Sequence, residues 1–249
     1  MTHCIVRSGL FAVLLLLGGA IQICLAMVTS EGCGETKQCF QMPYGCQDIT
    51  DCEAIVSWRL TEDGNAVIFE LLGDMRGRGG AEEYMAIGFS HDHLMADTDV
   101  WACAAESDTS LHLDHSFNVV HHNNEQKEVV GVEGFEARIT DGKIECTFER
   151  ANSIDGDGSD TFFDLDADSY YLMVARGRLD RDNKKIHKHF ATPMISPEKI
   201  NFTKTEFTYM PSPEPTVTES DGDGALTYIA GRWFTAFAIV LTMVFIMRA

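Results

Sequence analysis

The stretch "YMAIGFSHDHLMADTDVWAC", residues 84–103, sets one methionine, Met95, among His91, Asp92, His93 and Asp97, between two apolar runs. A thioether in a polar segment either fills a gap in the packing or serves as a soft ligand. The other residues that carry chemistry define less. His91, His93, His121 and His122 have no spacing that specifies a metal site. Cys33, Cys39, Cys46 and Cys52 run C-x5-C-x6-C-x5-C, without the close C-x2–4-C pairs that tetrahedral zinc takes. The acidic segment "SIDGDGSDTFFDLDADS" resembles a calcium loop only in composition. Asp160 stands where the EF-hand glycine belongs, and no glutamate closes the loop, so it reads as a solvated loop. There is no G-x-S-x-G, no P-loop and no G-x-G-x-x-G after a strand; "GDMRGRGGAEE" reads as a loop between two strands.

These residues sit in a chain with two targeting signals. Arg7 precedes an apolar run from Leu10 to Leu25 that ends in Cys24-Leu25-Ala26. That run is too short to cross a bilayer and reads as a secretory signal peptide over 1–26, cut after Ala26. Cys4 and Cys24 leave with it, and Cys33, Cys39, Cys46, Cys52, Cys103 and Cys146 remain. An even set of cysteines in an oxidising compartment predicts three disulfides, with 15 pairings open. Residues 208–225 are a Pro-rich acidic stalk, and 226–249 form an apolar tail after small residues. This pattern fits a GPI-anchor signal, with a single transmembrane helix over Leu226 to Met247 as the alternative. Either one tethers the body to a membrane on its non-cytoplasmic side. A formal charge of −19 excludes nucleic acid as a partner and favours solubility. Asn201 in "NFT" is a glycosylation sequon.

Between the cysteine-rich segment 27–53 and the stalk, residues 54–207 predict one domain built of strands. Helical periodicity is nearly absent and period-two alternation recurs. In "FEARITDGKIECTFER", Asp141-Gly142 predicts a two-residue hairpin turn. Closing it pairs Ile139 with Ile144, Ala137 with Cys146 and Phe135 with Phe148 on one face, and Arg138 with Glu145 on the other. Further strands are expected at 55–60, 66–72, 84–89, 100–104, 116–120, 170–176 and 185–190. The fold class is all-β, an antiparallel β-sandwich of immunoglobulin-like form.

The block "CGETKQCFQMPYGC" with "DC" and "VSW", then "YMAIGFSHDHLMADTDVWAC", "YYLMVARG" and "KIHKHFATPMIS", resembles the DOMON domain family, in its ferric-chelate reductase-like branch. The likeness runs from about Cys33 to Met210. It implies a β-sandwich that in many members binds haem b through an axial methionine and an axial histidine. The methionine in the loop after "GFS" corresponds to Met95. The histidine four residues before a proline corresponds to His189, with Pro193 as the marker, and His187 two residues away is the fallback. A Met/His pair raises the reduction potential relative to two histidines and suits electron transfer. Larger members add a cytochrome b561 membrane domain, and often a reeler domain. Only one short apolar tail ends this sequence, so transmembrane electron transfer by this chain alone is not expected.

Three functions compete. The first is an extracellular haem b redox module working with a redox partner. The second is a tethered, non-enzymatic factor that binds a membrane protein, in the manner of short members of this branch that act in receptor biogenesis. The third is an acidic matrix or adhesion protein. The compartment expected is the secretory pathway, at the outer face of the plasma membrane or the endoplasmic reticulum membrane.

Overall fold

The computed structural model describes residues 28–204 apart from 44, 47–49, 76–81, 120–122, 157–159, 181 and 184. The expected signal peptide, stalk and tail lie outside the described residues. Among the described residues there are twelve strands: β1 (Gln38–Met42), β2 (Ala54–Leu60), β3 (Ala66–Asp74), β4 (Glu83–Ser90), β5 (Thr98–Ser107), β6 (Ser110–Val119), β7 (Asn123–Lys127), β8 (Val132–Thr140), β9 (Lys143–Ala151), β10 (Tyr171–Leu179), β11 (Ile186–His189) and β12 (Met194–Ile195). Among the described residues there is no helix long and apolar enough to cross a membrane.

All strand pairings are antiparallel. One sheet has the order β1-β2-β3-β9-β8, and the second has the order β11-β10-β4-β5-β6-β7, with β12 also on β10. The all-β sandwich expected from the sequence is therefore the fold. The hairpin explains its own register. Asp141 and Gly142 adopt φ of 50° and 75°, the left-handed pair that a two-residue turn needs. Ile139 lies opposite Ile144, Arg138 opposite Glu145 and Ala137 opposite Cys146. The expected Phe135–Phe148 pair is displaced, because the register shifts between Glu133 and Glu136, where Gly134 takes a φ of 61°. A bulge leaves one strand a residue longer than its partner.

The core lies between the sheets. Met85, Ile87, Phe89, Trp101, Cys103, Leu172 and Val174 of one sheet meet Val56, Trp58, Phe69, Leu71, Cys146 and Phe148 of the other. Phe202 closes this core against Trp58, Phe69 and Phe89, with ring centroids 5.3, 5.9 and 5.0 Å away. Each fully buried Phe contributes roughly 2–3 kcal/mol of transfer free energy. The Cys103–Cys146 disulfide joins β5 to β9 across the core.

The cysteine-rich segment covers the outer face of the five-stranded sheet. Cys33 pairs with Cys39 and Cys46 with Cys52, so all six remaining cysteines are oxidised. Val28, Cys46 and Cys52 bury Ile55 and Leu72 on that face. Beneath them the Val28 N–H donates to the buried Glu145 carboxylate, 3.2 Å away, and Arg138 donates to the same oxygen at 3.0 Å. β1 pairs with β2 throughout, so the segment also supplies an edge strand.

Candidate functional site

Alternation along β4, β5 and β10 decides what lies on the outer face of the seven-stranded sheet. Since Met85, Ile87 and Phe89 face the core, Tyr84, Ala86, Gly88 and Ser90 face outward. Ala86, Val100, Ala102 and Ala104 form a separate apolar cluster there with Tyr84 and Leu179, and Ala175 packs against it. Gly88, opposite Met173 and Val100, extends this shelf of small residues.

The Met95 loop, 91–97, joins β4 to β5 at one end of the shelf. Its return is tightly held. Asp97 adopts a φ of 52°, and its N–H donates to Asn118 O at 2.7 Å. The Thr98 hydroxyl lies 3.0 Å from Met95 O and 3.3 Å from Ala96 O. Thr98 faces outward over Gly88: a Cβ built on Gly88 would come within 2.7 Å of Thr98 Cγ2. The Met95 backbone therefore sits against the outer face, and its side chain is half-buried. The His93 ring packs on Tyr171, tilted by 56° with centroids 4.1 Å apart. His91 turns to Phe163 and Tyr170, at 4.9 and 5.0 Å, and to Asp168 at 3.4 Å. The two histidines thus engage different partners. Burial, with Asp168 and Asp164 nearby, pushes the Tyr170 phenol up to about 12.

His189 stands at the other end of the shelf. It pairs with Gly177, which pairs with Tyr84, so all three share the outer face. The Tyr84 ring covers Gly177 and its hydroxyl donates to His187 O at 2.9 Å. Burial raises the Tyr84 phenol above its ordinary value. His189 is half-buried, and its Nδ1 is buried without a hydrogen-bond partner among the described residues. His187 differs. Its ring is exposed, and its Nδ1 accepts from the Lys188 N–H at 2.5 Å. The expectation that His187 and His189 share a face rested on plain alternation. The register shift between Gly177 and Leu179 interrupts that alternation.

The two candidate ligands are not adjacent in register. Gly88, beside the Thr98 clamp, is opposite Met173, whereas His189 is opposite Gly177. Four residues of strand make this about 13 Å at roughly 3.3 Å per residue. A soft thioether and an imidazole thus flank one shelf of small apolar side chains, with a buried ring nitrogen unsatisfied. These residues suit a flat apolar group carrying a metal that takes both donors.

Beneath the loop lies a buried ionic group that the residue pattern does not announce. Asp99, Arg150 and His115 are nearly inaccessible, at 0, 0 and 2 %. Arg150 Nη2 donates to Asp99 Oδ2 at 2.9 Å and to Phe163 O at 2.6 Å. His115 Nε2 lies 3.0 Å from Asp99 Oδ1, and its Nδ1 lies 2.9 Å from Glu128 O. Trp101 stacks on His115 at 4.2 Å, and the Arg150 guanidinium lies 3.7 Å from the Phe162 ring centroid. Burial lowers the Arg150 pKa, and the Asp99 charge opposes that shift.

The geometry so far defines a class: a disulfide-bonded, two-sheet antiparallel sandwich with a candidate Met/His site on one outer face. The profile of the DOMON domain family matches residues 50–177, and the chain belongs to that family. It is 33% identical over 178 residues to ferric-chelate reductase 1 of Bos taurus, covering 70% of this chain and 27% of that protein. It is 29% identical over 171 residues to the putative ferric-chelate reductase 1 of Danio rerio, covering 68% of this chain and 28% of that protein. It is 30% identical over 197 residues to the DOMON domain-containing protein FRRS1L of Mus musculus, covering 75% and 59%. The chain thus spans under a third of the two reductase relatives and 59% of the third protein. Among solved structures, the cytochrome domain of Myriococcum thermophilum cellobiose dehydrogenase is 11% identical with a TM-score of 0.45, covering 71% of this chain and 86% of that one. Similarity at that level carries no functional weight.

Proposed function

We propose that this chain is a membrane-tethered DOMON module of the secretory pathway that binds haem b through Met95 and His189 and exchanges electrons with a redox partner. The observation that carries the reading is His189: its Nδ1 is buried, without a partner among the described residues, on the same outer face that the Met95 backbone lies against. A haem with thioether and imidazole axial ligands supplies one-electron transfer at a raised potential. Met95 and His189 would hold the group, and the shelf of Ala86, Gly88, Ala102 and Ala175 would exclude water from one edge of the site. The three disulfides suit an oxidising compartment. Asn201 is the proposed glycan acceptor; its Oδ1 accepts from the Thr203 N–H and hydroxyl at 3.1 and 3.0 Å. The tether itself, a GPI signal or one helix over 226–249, lies outside the described residues and belongs to this proposal.

The test uses the full chain from a secretory host, titrated with hemin. Reduced-minus-oxidised spectra are recorded for wild type and for Met95→Ala, His189→Ala and His187→Ala. Sharp low-spin bands lost in the first two variants and kept in the third are expected. A folded, oxidised protein that takes up no hemin overturns the reading.

A second reading has its own observation. Glu133 lies directly opposite Glu149 on the outer face of the five-stranded sheet, a like-charge pair that weakens a sheet. A basic segment of another membrane protein would relieve that repulsion, as expected of a non-enzymatic binding factor. Glu133→Gln would then weaken capture of that partner without altering hemin uptake.

A further inference from the structure

A seven-residue polar loop, 91–97, carries Met95 between β4 and β5. We infer that Thr98 is a positioning residue for Met95, clamping the loop's return through its hydroxyl while Asp99 anchors the clamp in the core. This inference rests on the proposed haem function.

Three consecutive residues build the clamp, each by a different device. Asp97 takes the left-handed conformation at a φ of 52°, a strained choice for a residue with a side chain, and ties its N–H to Asn118 O on β6 at 2.7 Å. Thr98 is 1 % exposed and turns its hydroxyl back to Met95 O at 3.0 Å. Its methyl group fills the space over Gly88, where a Cβ would come within 2.7 Å. Asp99 points to the opposite face and cannot shift, because its two oxygens take Arg150 at 2.9 Å, the Phe163 N–H at 3.0 Å and His115 at 3.0 Å.

The loop's other end is held by the exposed Asp92 and the buried Ser90. The Leu94 N–H donates to Asp92 Oδ1 at 2.7 Å, and Ser90 Oγ lies 3.3 Å from Leu94 O. Leu94 is 65% exposed. Met95 therefore lies between an exposed turn at Leu94 and the buried return at Thr98. Its own carbonyl is tied to that return by the Thr98 hydroxyl. A ligand held before the metal arrives binds with a smaller ordering cost.

The conservative variants separate this role from mere packing. Thr98→Val keeps the methyl over Gly88 and deletes the hydroxyl, whereas Thr98→Ser keeps the hydroxyl and deletes the methyl. The full chain of each is titrated with hemin, and hydrogen exchange is followed in the unloaded protein. Thr98→Val should weaken hemin affinity about tenfold and reduce the low-spin fraction, with exchange faster only at 91–98. Thr98→Ser should restore the low-spin spectrum. If wild type takes up no hemin, the haem reading fails, and exchange alone decides whether Thr98 clamps the loop. If Thr98→Val matches wild type in exchange and in any hemin spectrum, or if Thr98→Ser is as impaired as Thr98→Val, the inference is overturned.

Discussion

Asp99→Asn removes the carboxylate paired with a guanidinium that is 0 % exposed. Removing one partner of a buried ion pair costs about 3–5 kcal/mol, because the remaining charge is left uncompensated. Arg150 keeps some support in this fold. Its Nη1 still donates to Ala151 O at 3.0 Å and its Nη2 to Phe163 O at 2.6 Å, while the Phe162 ring stays 3.7 Å beneath it. Those contacts place the loss at the lower end, about 3 kcal/mol. With a urea slope of about 2 kcal/mol/M, the unfolding midpoint falls by roughly 1.5 M. The assay is equilibrium urea unfolding followed by tryptophan fluorescence, since Trp58 and Trp101 are both buried in the core. The double variant Asp99→Asn/Arg150→Met removes both charges and should cost clearly less than the two single changes added together. A single-variant loss below about 1 kcal/mol, or strict additivity in the double variant, refutes the idea that these two charges depend on each other.

The disulfides should rank by the loop each closes: the Cys103–Cys146 bond, 43 residues apart, is worth about 4 kcal/mol on the chain-entropy scale, against about 2 for Cys33–Cys39 at a separation of 6. Paired Cys→Ala variants in the same urea assay check this, and a larger loss for Cys33/Cys39 contradicts it. Asp114 gives the pH prediction. Burial raises its carboxyl above the ordinary range, with His112 and Gln126 opposing. The folded form then holds its proton more tightly than the unfolded chain, so stability falls as pH rises from the ordinary Asp value through the folded one, and stays reduced above it. Asp114→Asn should therefore melt higher than wild type at neutral pH, and that gain should shrink at about pH 3. Thermal melts at both pH values decide, and an equal or lower melting point at neutral pH counts against it.

Much of the fold could be read from the sequence where local chemistry and long-range packing agree. The Asp141-Gly142 turn set the register of Arg138 on Glu145 because no other two-residue loop fits between those alternating runs. The Phe135 pair was lost to a bulge, which depends on the neighbouring strand and leaves no local mark beyond Gly134. β7, "NNEQK", has no apolar residue and was not expected as a strand; its backbone pairs with β6 at a sheet edge, where polar side chains suffice. The disulfide pairing follows from three-dimensional proximity alone. At the site, Met95 and the choice of histidines came from the family resemblance and not from periodicity. Asp99, Arg150 and His115 escaped notice because charged residues read as surface until their partners are known. The bulge in β11, which separates the surroundings of His187 from those of His189, likewise belongs to tertiary structure.

The axial pair is the central claim, and a potentiometric titration of the hemin complex tests it most directly. Wild type is compared with Met95→His, which exchanges the thioether for a second imidazole at the same place in the 91–97 loop. The account predicts a low-spin complex in both proteins, with a distinctly lower reduction potential in the variant, because a methionine ligand raises the potential relative to histidine. An unchanged potential in Met95→His would mean that Met95 is not on the iron and would contradict the account.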